Sequence, residues 1–371
     1  MLYYPQNRRK CMSSQIQALV QPLLDWFSTC QRILPWRENK DPYRVWVSEI
    51  MLQQTRVEAV IPYYNRFLQR LPSIKALADC PEEELLKLWE GLGYYNRVRN
   101  LQKAAKVMVE QYGGQFPHSW EQVRALPGIG DYTAGAICSI AFDQPTPAVD
   151  GNVLRVLSRI TDDHRDVTQN VVKQDFTEKL RQVYPKGRCG DFTQSLMELG
   201  AIVCLPNGMP LCDKCPVRQL CLGYERNTFL DLPVKPPKKA RKKEQRTILI
   251  LSCQGKYALQ KRPDKGLLAG LWEFPNLEGK YTKKQLAAWL KEQGMEALEV
   301  TAGEKAVHIF SHIEWQMSSF HIRLAQPAPW YTWANRKELE EIYSLPSAYS
   351  AFSGPILRGV GTQMQVEMGE G

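Results

Sequence analysis

Cys204, Cys212, Cys215 and Cys221 lie within eighteen residues in the pattern C-x7-C-x2-C-x5-C. Four soft sulfur ligands in a loop shaped by Pro206, Asn207, Gly208, Pro210 and Pro216 suit either a tetrahedral zinc ion or a [4Fe-4S] cluster, and the spacing does not choose between them. Cys11, Cys30, Cys80, Cys138, Cys189 and Cys253 are scattered. No run approaches eighteen apolar residues, and the first fifteen lack the apolar stretch of a signal peptide, so an intracellular, cytoplasmic chain without a membrane span is expected. Thiols in that compartment stay reduced, which points the clustered cysteines to a ligand role and away from disulfides.

The chain has 371 residues against about 150 per domain, so two or three domains are expected. Hydrophobic residues at 44% and charged residues at 23% exclude global disorder and fibrous repeats. A net charge of +9 favours a polyanionic partner. Up to about residue 225 the pattern is helical. Pro81 and the carboxylates of Glu82, Glu83 and Glu84 open one helix that Gly91 and Gly93 end, and another is expected from about Tyr94 to Tyr112. Residues 231–246 read as a linker, since Pro233, Pro236 and Pro237 precede Lys238, Lys239, Arg241, Lys242, Lys243 and Arg246 with almost nothing apolar to bury. From Thr247 strands take over, TILILSC and KYALQKR flanking a Gln254-Gly255 turn, then a helix near 283–293 and a WQMSSFHIRLA strand. The expected architecture is an all-α domain over 1–230 and an α/β domain over 247–355, followed by an unpatterned tail over 356–371.

Leu126-Pro127-Gly128-Ile129-Gly130 sits between two helical stretches; its glycines suit either an ordinary helix-helix turn or a tight loop that aims backbone N-H groups at a phosphate, and the pentapeptide alone does not choose. Twenty residues beyond Gly130, Asp150 stands ahead of a helix, where an acid is most often a cap. L-P-G-I-G followed at this distance by V-D-G-N-V resembles the helix-hairpin-helix DNA glycosylases, and the cysteine loop is similar to that of their iron-sulfur branch. The stretch from Val45 to Thr55 resembles the segment of MutY-type adenine DNA glycosylases that carries the catalytic glutamate, matched here by Glu49. Pro35-Trp36-Arg37, Gly91 to Tyr95, Asp131 to Gly135 and Phe310-Ser311-His312 resemble the same family.

The resemblance implies a six-helix module over about 36–148 with the hairpin at 126–130, an iron-sulfur module from 13–35 and 149–225, and a [4Fe-4S] cluster on the four cysteines. The family usually has six residues between its first two cluster cysteines where this chain has seven, an extension that proline and glycine readily absorb. Glu49 is implied to protonate the adenine ring and later to position water. Asp150 is implied to stay ionised and stabilise positive charge on the sugar, with Tyr132 and Asn152 around it. Endonuclease III-type relatives carry a Schiff-base lysine just after the hairpin; Tyr132 stands there instead, which implies base removal by water with little strand cleavage.

The family match further implies that Leu52, Gln54 and Tyr94 wedge into DNA while Trp36, Arg37 and Gln194 line the adenine pocket, although several relatives have glutamate at the last position. Leu126, Gly128 and Gly130 would hold the DNA backbone. The second domain, with Gly270-Leu271-Trp272-Glu273-Phe274-Pro275, is similar to a Nudix-related module; the helix corresponding to its metal-binding motif reads KQLAAWLKE over 284–292 and lacks the paired carboxylates. Phe310, Ser311 and His312 are implied to touch 8-oxoguanine. The implied partner is double-stranded DNA with 8-oxoguanine:adenine or guanine:adenine mispairs, bound by a monomer associated with a bacterial nucleoid. The rival functions are a pyrimidine glycosylase on the same scaffold and a DNA-binding protein with a structural cluster.

Overall fold

In the computed structural model, residues 6–237 and 240–358 are described, with side chains from Ser14 onward; Lys238, Lys239 and the expected tail beyond Arg358 lie outside the described residues. The chain divides into two compact units, residues 1–80 with 96–237, and residues 81–95 with 238–371.

The first unit is helical: α1 (Gln6–Cys30), α2 (Pro42–Leu52), α3 (Val57–Arg70), α4 (Ile74–Asp79), then, after α5 (Glu82–Leu88) of the second unit, α6 (Asn96–Tyr112), α7 (Trp120–Ala125), α8 (Asp131–Phe142), α9 (Gly151–Thr161), α10 (Asn170–Arg181), α11 (Cys189–Ile202) and α12 (Leu222–Glu225). Local chemistry explains many boundaries. Asp41, Ser73 and Ser119 each accept a backbone N-H at a helix start, satisfying donors that a first turn leaves without partners. α6 begins at Asn96 rather than Tyr94 because Tyr94 adopts φ +48, which a right-handed helix excludes. Pro81 caps α5 from outside instead of occupying its first turn.

α8 and α9 form the spine that carries the hairpin and Asp150. α8 is apolar on nearly every side and buried from Thr133 to Ile140. Its Gly135 lies so close to the Pro147 carbonyl that a Cβ would fall far inside van der Waals contact. That approach braces the segment leading to Asp150. Gly135→Ala should therefore cost about 2 kcal/mol or more by overpacking, read as a lower urea midpoint with an unchanged slope; an unaltered midpoint would show that the segment yields freely.

The second unit adds β1 (Lys242–Cys253), β2 (Lys256–Lys261), β3 (Trp272–Glu273), β4 (Asn276–Glu278), α13 (Lys283–Glu292), β5 (Ala297–Ile309), β6 (Ile313–Leu324), β7 (Thr332–Ala334), α14 (Arg336–Glu341) and α15 (Ser350–Arg358). The strands run β3-β2-β1-β6-β5, with β4 on β1 and β7 on β2; β1 and β6 are parallel and the other pairs antiparallel. Alternation along β1 sends Ile248 and Ile250 to a core with Phe274, Trp315 and Phe352, and Leu249 and Leu251 to the opposite core with Leu286 and Ile322. Both faces are thus covered, which explains the continuous apolar run.

Two boundaries differ from the sequence expectation. β1 begins at Lys242, five residues before Thr247, because Lys242 to Arg246 pair with Ile313 to Met317 of β6. The basic run ends inside a strand, where ladder hydrogen bonds outweigh its lack of apolar side chains. Residues 81–95, expected within the helical domain, pack in the second unit: the Lys87 ammonium donates to the Leu339 and Tyr343 carbonyls, and the Leu345 N-H donates to Glu90 at 2.6 Å.

Candidate active site

A cavity of about 640 Å³ opens in the first unit, lined by Trp36, Arg37, Glu49, Leu52, Gln54, Tyr132, Asp150, Asn152 and Gln194, among others. These residues come from five places in the chain, and the fold brings them to one wall system. α2 supplies Glu49, and the turn after it supplies Gln54, held at φ +60. Arg97 donates to the carbonyls of Ile50, Met51 and Gln53, closing the end of α2 and fixing that turn.

Glu49 is only 6% exposed. The Tyr132 hydroxyl donates to Glu49 Oε2 at 2.6 Å. Burial raises the carboxyl to about 7 against the lowering pull of that hydrogen bond, with Asp150 raising it further and Arg37 lowering it. Burial also lifts the Tyr132 hydroxyl well above its ordinary value, beside Glu49 and Asp150, so it remains a neutral donor.

Asp150 caps α9, accepting the Val153 N-H at 2.7 Å and the Asn152 amide at 2.8 Å. Burial raises its carboxyl, whereas these donors and the charge of Arg155 oppose the rise. The two acids therefore differ in hydrogen-bond supply. Glu49 has the Tyr132 hydroxyl as its side-chain donor, while Asp150 has a helix N-terminus and an amide. Arg155 continues the chain of contacts, donating to Asn152 Oδ1 and to the carbonyls of Gly200 and Cys204.

The sequence reading missed Glu198 and Arg32. Glu198 lies one turn beyond Gln194 on α11 and is 1% exposed on its side chain. It accepts Arg32 Nε at 2.8 Å and Nη2 at 2.9 Å, and Arg37 Nη2 at 2.9 Å. Burial would raise its carboxyl, but the two guanidinium partners prevail and hold it at about 2. Arg37 also donates through Nε to Gln194 Oε1 at 2.9 Å. The legible signal was a glutamate set among Leu196, Met197 and Leu199.

Cys204, Cys212, Cys215 and Cys221 line a second cavity of the same unit, walled by Val156, Val203 and Val217. Burial raises Cys212, pushes Cys215 up to about 12 and Cys221 to about 11, and each is raised further by neighbouring cysteines. Half-buried thiolates that would repel one another are the chemistry that a cationic centre relieves. Among the described residues no three such side chains meet on a single ion position. The seven-residue gap closes as a turn, with Gly208 at φ +70 and the Leu211 N-H returning to the Val203 carbonyl at 2.9 Å. Arg159 donates to Cys204 Sγ at 3.2 Å.

The hairpin lies between α7 and α8, with Leu126 and Ile129 buried, Gly128 at φ +76 and Gly130 capping α8. Arg124 steadies it through the Ile129 carbonyl and Asp131. In the second unit, Phe310, Ser311 and His312 form the turn between β5 and β6. The Phe310 ring meets His308 and Trp315 edge-on, and Tyr94, 51% exposed, comes within 3.4 Å of Ser311 Oγ through its hydroxyl.

The HhH-GPD superfamily of base excision DNA repair proteins matches residues 47–182, and the NUDIX domain family matches 246–352. An adenine DNA glycosylase of Mus musculus is 37% identical over 86% of this chain and 75% of its own length. One from Buchnera aphidicola subsp. Schizaphis graminum is 34% identical over 80% and 84% respectively. The chain belongs to the adenine DNA glycosylases.

A thermostable thymine-DNA glycosylase superimposes with a TM-score of 0.52 at 30% identity, covering 57% of this chain and 98% of its own. As an adenine DNA glycosylase the chain is a DNA N-glycosylase of base excision repair, built from a helical helix-hairpin-helix domain and a sheet-containing Nudix-like domain. No helix among the described residues is long and apolar enough to cross a membrane.

Proposed function

We propose that this glycosylase excises adenine opposite 8-oxoguanine, and less efficiently opposite guanine, by water-driven cleavage of the N-glycosidic bond with little or no strand scission. The observation that carries the reading is the pairing of a buried Glu49 held at about 7 with an Asp150 supplied with donors, both on one cavity. Burial raises both carboxyl groups, but the donors around Asp150 oppose the rise there more fully, and two acids so distinguished suit an oxocarbenium-like reaction. A base in a duplex is out of reach, so the adenine is flipped into the cavity, where Trp36, Arg37 and Gln194 surround it and Leu52 and Gln54 hold the gap.

Glu49 then protonates a ring nitrogen, the sugar C1′–nitrogen bond breaks with its electron pair leaving on adenine, and Asp150 stabilises the cationic sugar. Water adds to C1′ and gives its proton to the Glu49 carboxylate. Tyr132 in place of a lysine leaves no amine to form a Schiff base, which supports a monofunctional enzyme. The four cysteines are the residues to hold a [4Fe-4S] cluster, a group that spreads its ligands over several irons and fits sulfurs ringing a cavity. Bound there, it would supply positive charge and crosslink the loop.

In the second unit, α13 carries one glutamate, Glu292, where nucleotide hydrolysis would need several carboxylates. Lesion reading by Ser311, His312 and Tyr94 is the use we assign to this unit. The test is a panel of duplexes with 8-oxoguanine:adenine, guanine:adenine, guanine:thymine and guanine:uracil pairs, scored for strand breaks before and after alkali. Breaks only after alkali, at adenine and fastest opposite 8-oxoguanine, are expected. Release of thymine or uracil alone would overturn the assignment.

A further inference from the structure

Resting on the reading just given, a second consequence follows from the ion cluster at the cavity wall. Arg37 is the cation whose field bears on Glu49 and opposes its burial. Its guanidinium is not free to approach or retreat: Nη2 is held by Glu198, Nε by Gln194, and Nη1 donates to the Arg32 carbonyl at 3.0 Å. Glu198 in turn takes both carboxylate oxygens and the Arg32 backbone N-H into the cluster. Two arginines and one carboxylate leave a single net positive charge there.

We propose that Glu198 is a positioning residue that fixes Arg37 against the adenine pocket and, by cancelling one of two arginine charges, keeps the acid proton on Glu49. The other groups facing Glu49 are Tyr132 from α8 and Asp150 and Asn152 from the start of α9. Gln194 and Met197 face it from α11, and Arg56, the remaining charged lining residue, is exposed. Asp150 supplies the only other negative charge among these, and the exposed Glu58 of α3 acts on Arg32 from outside the set. Glu198 therefore decides whether the arginine side of the cavity carries one positive charge or two, and a second one favours the ionised form of Glu49.

The experiment is single-turnover adenine release from an 8-oxoguanine:adenine duplex at saturating enzyme, from about pH 5.5 to 9, for wild type, Glu198→Gln and Arg32→Gln. For Glu198→Gln the alkaline fall moves to lower pH. A displacement of about one pH unit lowers the rate about ninefold at pH 8 and less than twofold at pH 5.5, beyond any pH-independent loss. Arg32→Gln, at a half-exposed position, removes a positive charge while leaving Glu198 on Arg37, and moves the fall to higher pH. Opposite displacements are a result that loss of packing alone does not produce. Removing one partner of a buried pair is strongly destabilising, so if Glu198→Gln fails to fold, Arg32→Gln decides. Unmoved alkaline limbs in an active enzyme overturn the role of Glu198. A wild type that releases no adenine instead overturns the proposed function, and this inference with it.

Discussion

Replacing Glu49 by Gln should lower single-turnover adenine release by about a thousandfold, within the range that a positioned proton donor contributes, while duplex affinity stays within a few-fold. Gln keeps the volume and still accepts the Tyr132 hydroxyl, so the side chain loses its proton and little else. The pH profile of the wild type gives the same group a second signature. With the carboxyl raised to about 7, its acid form is populated below that value, and the rate should fall as pH rises through it. In Glu49→Gln the residual rate should lack that fall. A variant within tenfold of wild type would remove Glu49 from the chemistry and leave a DNA-binding role as the better reading.

Asp150→Asn should cost about a hundred- to a thousandfold in rate through lost electrostatic stabilisation, with stability changed by less than about 1 kcal/mol because Asn caps a helix about as well as Asp. Asp150→Ala should lose the same activity and, in addition, about 1 kcal/mol of stability through the missing acceptor for Val153. The pair of variants separates two roles that one side chain holds. Full activity in Asp150→Asn would leave the residue as a cap alone.

Much of the site was legible in the chain because its members are marked by local chemistry. Asp150 is followed by a residue whose N-H it caps, and the hairpin glycines sit where a tight turn needs them. Motif resemblance located Glu49, since a glutamate within an apolar helix has no local signal of the catalytic use proposed for it. Glu198 carried the same weak signal outside any motif that resembles a known family, and its partners lie more than 150 residues away. Its function in the cavity could not be read from spacing.

The same limit applied to the boundary at Lys242. Composition reports what a segment can bury, whereas β1 begins there because β6 offers backbone partners along its whole length. Residues 81–95 likewise read as an ordinary helix and turn, and their packing with the second unit depends on carbonyls near Leu339 and Tyr343 that no local pattern announces.

From the sequence by itself came the element types, the Asp150 cap, the four clustered cysteines, the absence of a lysine at Tyr132 and the pairing of two domain families. Only the tertiary structure decided that Glu49 is largely buried on a cavity wall, that Asp150 is not left without donors, and that two distant arginines converge on Glu198. The reason is physical. Hydrogen-bonded turns depend on neighbours a few residues apart, but desolvation and Coulomb forces depend on distance in space, and folding sets those distances without regard to position in the chain.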